Sequence, residues 1–264
     1  DEVAEVVGAA SSGEKQVYEI TARGRTIGAS GNHPFLVLRD ERKPGRQRAR
    51  YAARWVPAEE LAVGDYVAIA TDVPEFGESA AMLLPTRADA VSLPRTTSDD
   101  LLWFAGIFIG DGYLHDRSGY VSVEIAVDRT DTELVDEIIR VAHDLFGLDF
   151  VLARDGQRLT ARRTAALAEY LELNGLAGSA HTKRVPDWVF GLPRPQRIAF
   201  LSGLLDADGY VRDHPSNKDA MYCSANRQLL DGVKELAALC GIDSSSVIEV
   251  RNRHPFDRER ILTA

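Results

Sequence analysis

Leu201-Ser-Gly-Leu-Leu-Asp-Ala-Asp-Gly-Tyr210 decides how this chain is interpreted, because Phe104-Ala-Gly-Ile-Phe-Ile-Gly-Asp-Gly-Tyr113 repeats it 97 positions earlier. The two copies share a central glycine and end in the same Asp-Gly-Tyr tripeptide. The likeness continues downstream, where residues 132–148 match residues 227–242. Such a repeat predicts a duplicated unit with an approximate twofold axis.

Small residues recur at three- and four-residue spacing in both copies, on one face of a predicted helix. They are Ala105, Gly106 and Gly110 in the first copy, and Ser202, Gly203 and Ala207 in the second. Because small side chains let helix backbones approach closely, we expect the helices over residues 101–110 and 195–207 to pack on each other at the axis. Asp99 or Asp100 is the expected N-cap of the first helix.

Each predicted helix ends in Asp-Gly, and the glycine is expected to take the left-handed C-cap conformation. Asp111 and Asp208 then lie side by side at the negative ends of two helix dipoles. The dipole disfavours a carboxylate there by up to ~1 kcal/mol, and the two carboxylates also repel each other. Asp-Gly is a common turn dipeptide as well, but its occurrence at matching places in both copies favours a cation site. Paired carboxylates suit Mg²⁺, with water and phosphate oxygens completing its coordination.

Composition and charge limit the classes of partner that the chain can bind. The chain has 264 residues with 31 Lys and Arg against 40 Asp and Glu, a net charge of −9 that argues against a nucleic-acid partner for the chain as a whole. The acids are concentrated, however, since residues 56–100 carry nine acids and two bases. Residues 39–54 carry seven bases and two acids, and residues 154–197 eight bases and four acids, so basic surfaces are expected locally.

Three regions follow from these patterns. Residues 1–70 have short Val-, Ile- and Tyr-rich runs typical of strands, residues 71–98 read as an acidic linker, and residues 99–264 alternate helices and strands in two repeats, about 99–175 and 195–264. Residues 39–54 are expected to form a long exposed loop, either solvated or in contact with DNA. No apolar run is long enough to span a membrane, and two cysteines without a CxxC motif predict neither a disulfide framework nor a zinc module. These features favour a cytoplasmic location.

The repeated motif resembles that of the LAGLIDADG homing endonucleases, which residues 201–209 match in seven of nine positions. The resemblance implies two αββαββα halves that grip double-stranded DNA and cut both strands with metal ions, expected to be Mg²⁺. By position, Asp111 and Asp208 would be the catalytic and metal-binding acids, with backbone ligands at Gly110 and Ala207. Asp206 is either a further ligand or a charge at the helix end, and the second is favoured.

His181-Thr-Lys-Arg-Val-Pro186 is similar to the segment between the two motifs of that family. It implies that Lys183 stabilises phosphate charge or polarises a water, although a solvated basic loop is the alternative. No clear partner lysine is found in the second half, where Lys218 is the weak candidate. DNA contacts are expected from the basic region, at Arg154, Arg158, Arg162, Arg163 and Arg184.

The β-rich part resembles an intein splicing domain of the Hint type. The resemblance rests on Val17-Tyr-Glu-Ile20, on Gly24-Arg-Thr-Ile-Gly-Ala-Ser-Gly-Asn-His-Pro-Phe-Leu36 and on Trp55-Val-Pro-Ala-Glu-Glu-Leu-Ala-Val-Gly-Asp-Tyr-Val67. It implies that His33 assists the first acyl shift, and that Ser30 and Asn32 help to hold its geometry. A loop histidine without a catalytic role is the alternative, which the surrounding strand pattern makes weaker.

The two resemblances predict the fold class α+β, with a β-rich Hint-like splicing segment followed by a pseudo-twofold double αββαββα endonuclease domain. Asp1 and the final Leu-Thr-Ala264 match neither splice junction, so self-splicing is expected only when the missing termini are present. The predicted protein is a monomeric intein with site-specific double-strand DNA endonuclease activity, whose partners are DNA and the flanking exteins. The alternatives are a splicing-only intein with a decayed endonuclease and a non-cleaving DNA-binding regulator of the same fold.

Overall fold

The computed structural model of the chain describes residues 7–22, 25–42, 48–69, 74–86, 91–117, 120–214, 217–244, 249–251 and 261–263. Over these residues the protein is mixed α+β, with five α-helices and several small antiparallel sheets. Contacts divide the chain into two compact units. Unit 1 comprises Asp1–Pro74 with Asp243–Ala264, and unit 2 comprises Glu75–Ile242.

Unit 1 is built from strands. Its elements are the hairpin β1 (Val17–Ala22) with β2 (Arg25–Ser30), the three-stranded sheet of β3 (Pro34–Asp40), β4 (Tyr51–Pro57) and β5 (Tyr66–Val67), and, near the end of the chain, strands Glu249–Arg251 and Ile261–Thr263. In the three-stranded sheet β3 is central and pairs with both neighbours. The expected long loop over residues 39–54 is therefore too long, because β3 continues to Asp40 and β4 begins at Tyr51. Paired backbone groups make these charged residues stable as strands.

A turn before β5 is fixed by one carboxylate. Asp65 accepts hydrogen bonds from the Ala62 amide at 2.9 Å and from Arg39 Nε at 2.8 Å and Nη2 at 2.5 Å. The Arg39 hydrogen bond, followed by that of Ala62, lowers the pKa of Asp65 from its ordinary value. Gly64 has φ +100°, which a side chain would strain. The Leu-x-x-Gly-Asp pattern thus describes a tight turn tied to β3 by a bidentate ion pair.

Unit 2 begins with seven elements in the order αββαββα, as expected for the first repeat. They are α1 (Asp99–Asp111), β6 (Gly112–Arg117), β7 (Tyr120–Ala126), α2 (Thr132–Phe146), β8 (Val151–Leu152), β9 (Arg158–Thr160) and α3 (Ala165–Leu173). The four strands form one antiparallel sheet in the order β6-β7-β9-β8. The second repeat within this unit has α4 (Arg194–Asp208), the hairpin β10 (Gly209–His214) with β11 (Asn217–Tyr222), and α5 (Arg227–Leu239).

Short polar side chains cap helices α1 and α2 of unit 2. Asp131 accepts from the Leu134 amide at 3.2 Å at the start of α2, as its place before an amphipathic run predicts. The expected caps Asp99 and Asp100 of α1 are wrong, because Ser98 accepts from the Leu101 amide at 3.3 Å. The two aspartates lie instead in the first turn, where their charge suits the helix dipole. No helix in the described part of the chain is long and apolar enough to cross a bilayer.

Helix α1 forms the centre of the core of unit 2 and is buried on most sides. Its buried side chains are Leu101, Leu102, Phe104, Ala105, Ile107, Phe108 and Ile109. The segment expected to be a linker also packs on this unit from residue 75 onward. Met82 is buried in the core, Ala81 pairs with Thr96, and the Thr97 hydroxyl donates to Gln196 at 2.7 Å. Glu75 and Glu78 are therefore exposed positions on a packed segment.

Helices α1 and α4 pack with their backbones nearly in contact. A Cβ on Gly106 would lie under 3.0 Å from the Phe200 carbonyl oxygen, and one on Gly203 would lie equally close to the Trp103 oxygen. Each glycine thus faces the carbonyl of the residue three positions before the partner glycine. This reciprocal contact confirms the expected packing of the repeated small residues, and it gives the helix pair its approximate twofold symmetry.

Candidate functional site

Both repeated helices end at their aspartates and lead directly into strands. Gly112 has φ −79° and ψ 150°, and Gly209 has φ −88° and ψ 162°, so both are extended. The expected left-handed glycine caps are therefore wrong. Glycine is needed for space, because a Cβ would lie under 3.0 Å from the Phe108 ring at Gly112 and from the Leu205 carbonyl oxygen at Gly209. The sharp exit from helix to strand leaves each aspartate at the end of its helix.

The two carboxylates lie at the same end of the helix pair. A Cβ on Gly110 of α1 would collide with Ala207 and would lie 3.5 Å from Oδ2 of Asp208, so Asp208 reaches across to the other helix. Burial, and after it the charge of Asp208, raises the pKa of Asp111 to about 6. Burial also raises the pKa of Asp208, which is the more exposed of the two. Lys183 partly opposes both shifts.

Lys183 lies against the carbonyl end of α1. Its ammonium donates to the carbonyl oxygens of Phe108 at 2.9 Å, Gly110 at 3.3 Å and Gly112 at 2.5 Å, and the residue is 7% exposed. Burial lowers its pKa to about 8, although Asp111 and Asp208 favour the charged form. The alternative of a solvated basic loop is wrong for this side chain. All three of its protons are used by the backbone, so its charge reaches the carboxylates through space.

Asn226 supports Lys183 from the second repeat, and the sequence analysis missed it. Its Nδ2 donates to the Lys183 carbonyl oxygen at 2.5 Å, while its Oδ1 accepts from the Leu229 amide at 3.2 Å as the N-cap of α5. The side chain is therefore shared between a helix start and the lysine segment. The position of Asn226 directly before an amphipathic helix is typical of an N-cap, but nothing in the sequence indicates its contact with the Lys183 carbonyl oxygen.

Asp206 is held away from the carboxylate pair. The indole Nε1 of Trp103 donates to its Oδ2 at 2.7 Å, which links the sides of α4 and α1. The contact supports the interpretation of Asp206 as a charge at the helix end. Within the part of the chain that the structure describes, no three His, Cys, Asp or Glu side chains come together as a metal-binding group.

The residues at the helix ends nevertheless fit a divalent cation bound chiefly by oxygen. Asp111 and Asp208 supply two hard carboxylate ligands, and the carbonyls of Gly110 and Ala207 precede them. Burial, and after it the charge of Asp208, raises the pKa of Asp111, and a bound cation would favour its ionised form. Mg²⁺ accepts such a site because it keeps several waters and needs only one or two protein carboxylates.

The predicted DNA-contacting arginines differ in their surroundings. Arg154, in the turn between β8 and β9, and Arg184, beside Lys183, are exposed, as is Arg162 after β9. Arg158 on β9 instead lies between two acids, with Nε 3.2 Å from Glu124 and Nη1 2.6 Å from Asp155. Arg163, directly before the N-cap of α3, has a left-handed backbone conformation with φ +58°. The exposed guanidiniums have the accessibility that a phosphate contact needs, and Arg158 has less.

The predicted splicing residues lie together in the turn between β2 and β3 of unit 1. The Ser30 hydroxyl donates to Asn32 Oδ1 at 2.9 Å, and the His33 amide donates to the Ser30 carbonyl oxygen at 2.9 Å. His33 is exposed, and its ring lies edge-on to Phe35 with centroids 5.2 Å apart. The His33 carbonyl oxygen accepts from the Ala58 amide at 2.8 Å, which fixes the turn while leaving the imidazole accessible.

Comparison with known proteins adds a family match and several relatives. The chain is 32% identical over 267 residues to an iron–sulfur cluster assembly SufBD family protein of Mycobacterium leprae, covering 98% of this chain and 30% of that protein. It is 27% identical to a replicative DNA helicase DnaB of Synechocystis (88% and 25%) and 26% identical to a DNA polymerase of Thermococcus hydrothermalis (70% and 11%). The chain thus spans a third or less of the length of these relatives.

The family match covers the second repeat. The model of the LAGLIDADG-like domain matches residues 195–263, a range that contains nearly all of α4 and the whole hairpin that follows it. Asp208 and the glycine that packs against α1 both lie inside this range. Residues 195–263 of the chain are therefore a LAGLIDADG-like domain.

Proposed function

We propose that the chain is an intein carrying a site-specific double-strand DNA endonuclease. The endonuclease part rests on one observation above the others, the two carboxylates held at the ends of the paired motif helices. A LAGLIDADG-like domain supports a homing endonuclease or a related DNA-binding function, and the family is generally a nuclease family. The proposal includes cleavage by this chain, dependence on Mg²⁺ and a role in splicing.

Asp111, Asp208 and Lys183 have different proposed roles in phosphodiester hydrolysis. Asp111 and Asp208 would hold the cation and orient the attacking water, and the tight contact of α1 with α4 fixes the positions of the two carboxylates. A bound Mg²⁺ would lower the pKa of a water and neutralise charge on the phosphate. Lys183 fixes the carbonyl end of α1 and adds positive charge close to the carboxylates, so we assign it a positioning role. Its ammonium has no proton left to give to a phosphate oxygen unless a carbonyl contact opens.

DNA binding by a chain of net charge −9 must depend on locally basic surfaces. The change of the DNA-binding constant with salt concentration shows how strong this dependence is. If exposed arginines such as Arg154, Arg162 and Arg184 bring the number of neutralised phosphates to about six, the logarithm of the binding constant falls with the logarithm of salt with a slope of roughly −5. The measurement is fluorescence anisotropy of a labelled duplex at several salt concentrations. A slope near zero would contradict the nucleic-acid interpretation.

The same assay distinguishes the alternatives when cleavage is added. A plasmid library with a randomised insert is incubated with the protein and Mg²⁺, and linear products are sequenced to recover the target. Linear product from a defined insert supports the endonuclease. Salt-dependent binding without any product, in Mg²⁺ or in Mn²⁺, supports instead the decayed endonuclease or the non-cleaving regulator.

The splicing part of the proposal is supported by the pattern of relatives. Three proteins with different names match this chain, yet each match occupies a third or less of the relative. A segment shared by proteins that are otherwise named for different functions is what an inserted, self-removing element would produce. The compact turn at Ser30, Asn32 and His33 supplies a hydroxyl, an amide and an imidazole at one place in unit 1.

Splicing is tested in a gene product that carries this chain between the flanking sequences of its own source gene. We expect His33→Ala to leave the precursor uncut, because the imidazole no longer assists the first acyl shift, which general acid–base groups typically accelerate about 10²- to 10⁴-fold. His143→Ala, at an exposed histidine on α2, is the matched control and should splice normally. Precursor and ligated product are separated by gel electrophoresis, and normal ligation in the His33→Ala protein would remove His33 from the mechanism.

A further inference from the structure

Tyr222, the last residue of β11, carries a buried hydroxyl group. Neither the repeated motif nor the lysine segment between the two copies explains why a hydroxyl is present there. Its side-chain oxygen is inaccessible to solvent and has no hydrogen-bond partner in the described part of the chain. A buried polar group without a partner costs free energy, so its presence calls for an explanation in terms of a ligand or a reaction.

The register of the hairpin places Tyr222 beside the carboxylates. It pairs with Gly209, the residue directly after Asp208. Burial raises the pKa of its phenol from the ordinary value, and the next contributions come from Asp208 and then Asp111. A phenol that stays neutral beside two carboxylates keeps its proton and is a hydrogen-bond donor close to the place where the oxygens of a ligand would approach them.

The first repeat lacks this hydroxyl. There the residue paired with Gly112 is Ile125, which is fully buried, and the offset of 97 residues makes Ile125 the counterpart of Tyr222. An apolar side chain therefore satisfies the packing of this position, and the hydroxyl adds something that the fold does not require. Lys183 shows the opposite asymmetry, since its ammonium binds the carbonyl end of α1 in the first repeat.

We propose that the Tyr222 hydroxyl donates a hydrogen bond to an oxygen of the phosphodiester that is cleaved on the α4 side of the site. This inference rests on the proposed endonuclease function. The two halves would then stabilise their phosphates differently, one with the field of Lys183 and the other with a neutral donor. Loss of the Tyr222 donor should consequently slow cleavage of one DNA strand and leave the other strand nearly unaffected.

The test uses the full chain and a supercoiled plasmid that carries a target recovered with the wild-type protein. We expect Tyr222→Phe to nick the plasmid at close to the normal rate but to convert the nicked circle to linear DNA about 10- to 100-fold more slowly. Labelling each strand should show that the slow step is always on the same strand. Affinity for the target, measured in EDTA, should change by less than about twofold, because the donor acts on the reacting phosphate.

A stability measurement and a control variant separate this role from a structural one. Tyr222→Phe should unfold at the same temperature as the wild type or at a higher one, since it removes an unpartnered hydroxyl. Tyr170→Phe removes a different buried hydroxyl, which donates to the Pro94 carbonyl oxygen at 3.0 Å. That control should lose stability and retain the wild-type ratio of nicked to linear product.

The possible failures are distinguishable. If Tyr222→Phe makes linear DNA as fast as the wild type, the assignment of Tyr222 is overturned while the endonuclease stands. A wild-type protein that binds DNA without salt dependence and cuts no library member overturns the proposed function itself, and the assignment falls with it.

Discussion

Asp111→Asn together with Asp208→Asn should abolish DNA cleavage and leave DNA binding intact. The two carboxylates are the last residues of the paired helices and the proposed charged ligands for the cation, so the double substitution removes both ligands. Losing about 4 kcal/mol of transition-state stabilisation corresponds to a rate lower by a factor of about 10³. The measurement is single-turnover cleavage of a target plasmid, with anisotropy on the same duplex to follow binding.

The matched control for these substitutions is Asp206→Asn. Its amide oxygen can still accept from the Trp103 indole, so the helix contact survives and cleavage should stay near the wild-type rate. Unchanged cutting by the double variant, or an equal loss in the control, would remove Asp111 and Asp208 from the mechanism.

The double substitution should also raise stability, which separates a catalytic defect from misfolding. Asp111 has a pKa raised to about 6 in the folded protein, against 3.8 for an ordinary aspartate. The folded state therefore binds the proton more tightly, and this stabilisation is present below about pH 4 and is lost as the pH rises through about 6. The Asn variant lacks the repulsion and should show a higher unfolding midpoint at pH 7 and a weaker pH dependence. Cleavage by the wild type should fall as the pH is lowered, and less steeply at high Mg²⁺, because protonation of Asp111 competes with cation binding.

Gly203→Ala should destabilise unit 2 by about 3 kcal/mol, the largest stability effect that we expect. The new methyl group would lie under 3.0 Å from the Trp103 carbonyl oxygen, a backbone atom that cannot turn away. The two helices must then separate, which costs packing along their whole contact. At roughly 2–4 °C per kcal/mol for a unit of this size, the unfolding midpoint should fall by about 6–12 °C. Gly106→Ala should behave alike, because its methyl group would meet the Phe200 carbonyl oxygen.

Gly191→Ala is the control for the glycine series. No atom lies within 4 Å of the position that its Cβ would take, and its backbone is compatible with alanine, so the change should stay within about ±0.5 kcal/mol. Urea unfolding of the three variants gives the comparison. Equal stabilities for Gly203→Ala and Gly191→Ala would show that the helix pair relaxes at little cost, contrary to the close packing described above.

The repeat in the sequence was sufficient to predict the helix pair and the place of the two carboxylates. Glycines at matching positions imply close backbones, and an acid at the end of each helix follows from the same alignment. The conformation of Gly112 could not be predicted, because its reason is the Phe108 ring above it rather than the local dipeptide. The ends of β3 and β4 were missed for a similar reason, since charged residues there are held by cross-strand pairing, which a local pattern does not contain.

The buried position of Lys183 at the end of α1 could not be predicted from the sequence either. A basic loop residue and a buried helix-capping residue look alike until the fold brings α1 and the lysine segment together. The acidic segment before α1 gave a comparable difficulty, because its charge suggested a linker while a few apolar residues such as Met82 anchor it to the core. In both cases a long-range contact outweighed composition.

The bridge from Asn226 through Lys183 to the end of α1 has a consequence for how such a duplicated chain evolves. Two copies of an ancestral unit are ordinarily free to accumulate changes separately. Here an amide in the second copy binds the main-chain carbonyl oxygen of the lysine that serves the first, so a substitution of Asn226 affects the segment that positions Lys183. The second copy is therefore not free to change independently of the first. The bridge predicts that a chimera whose second copy lacks an asparagine at position 226 will lose activity even when the first copy and Lys183 are retained.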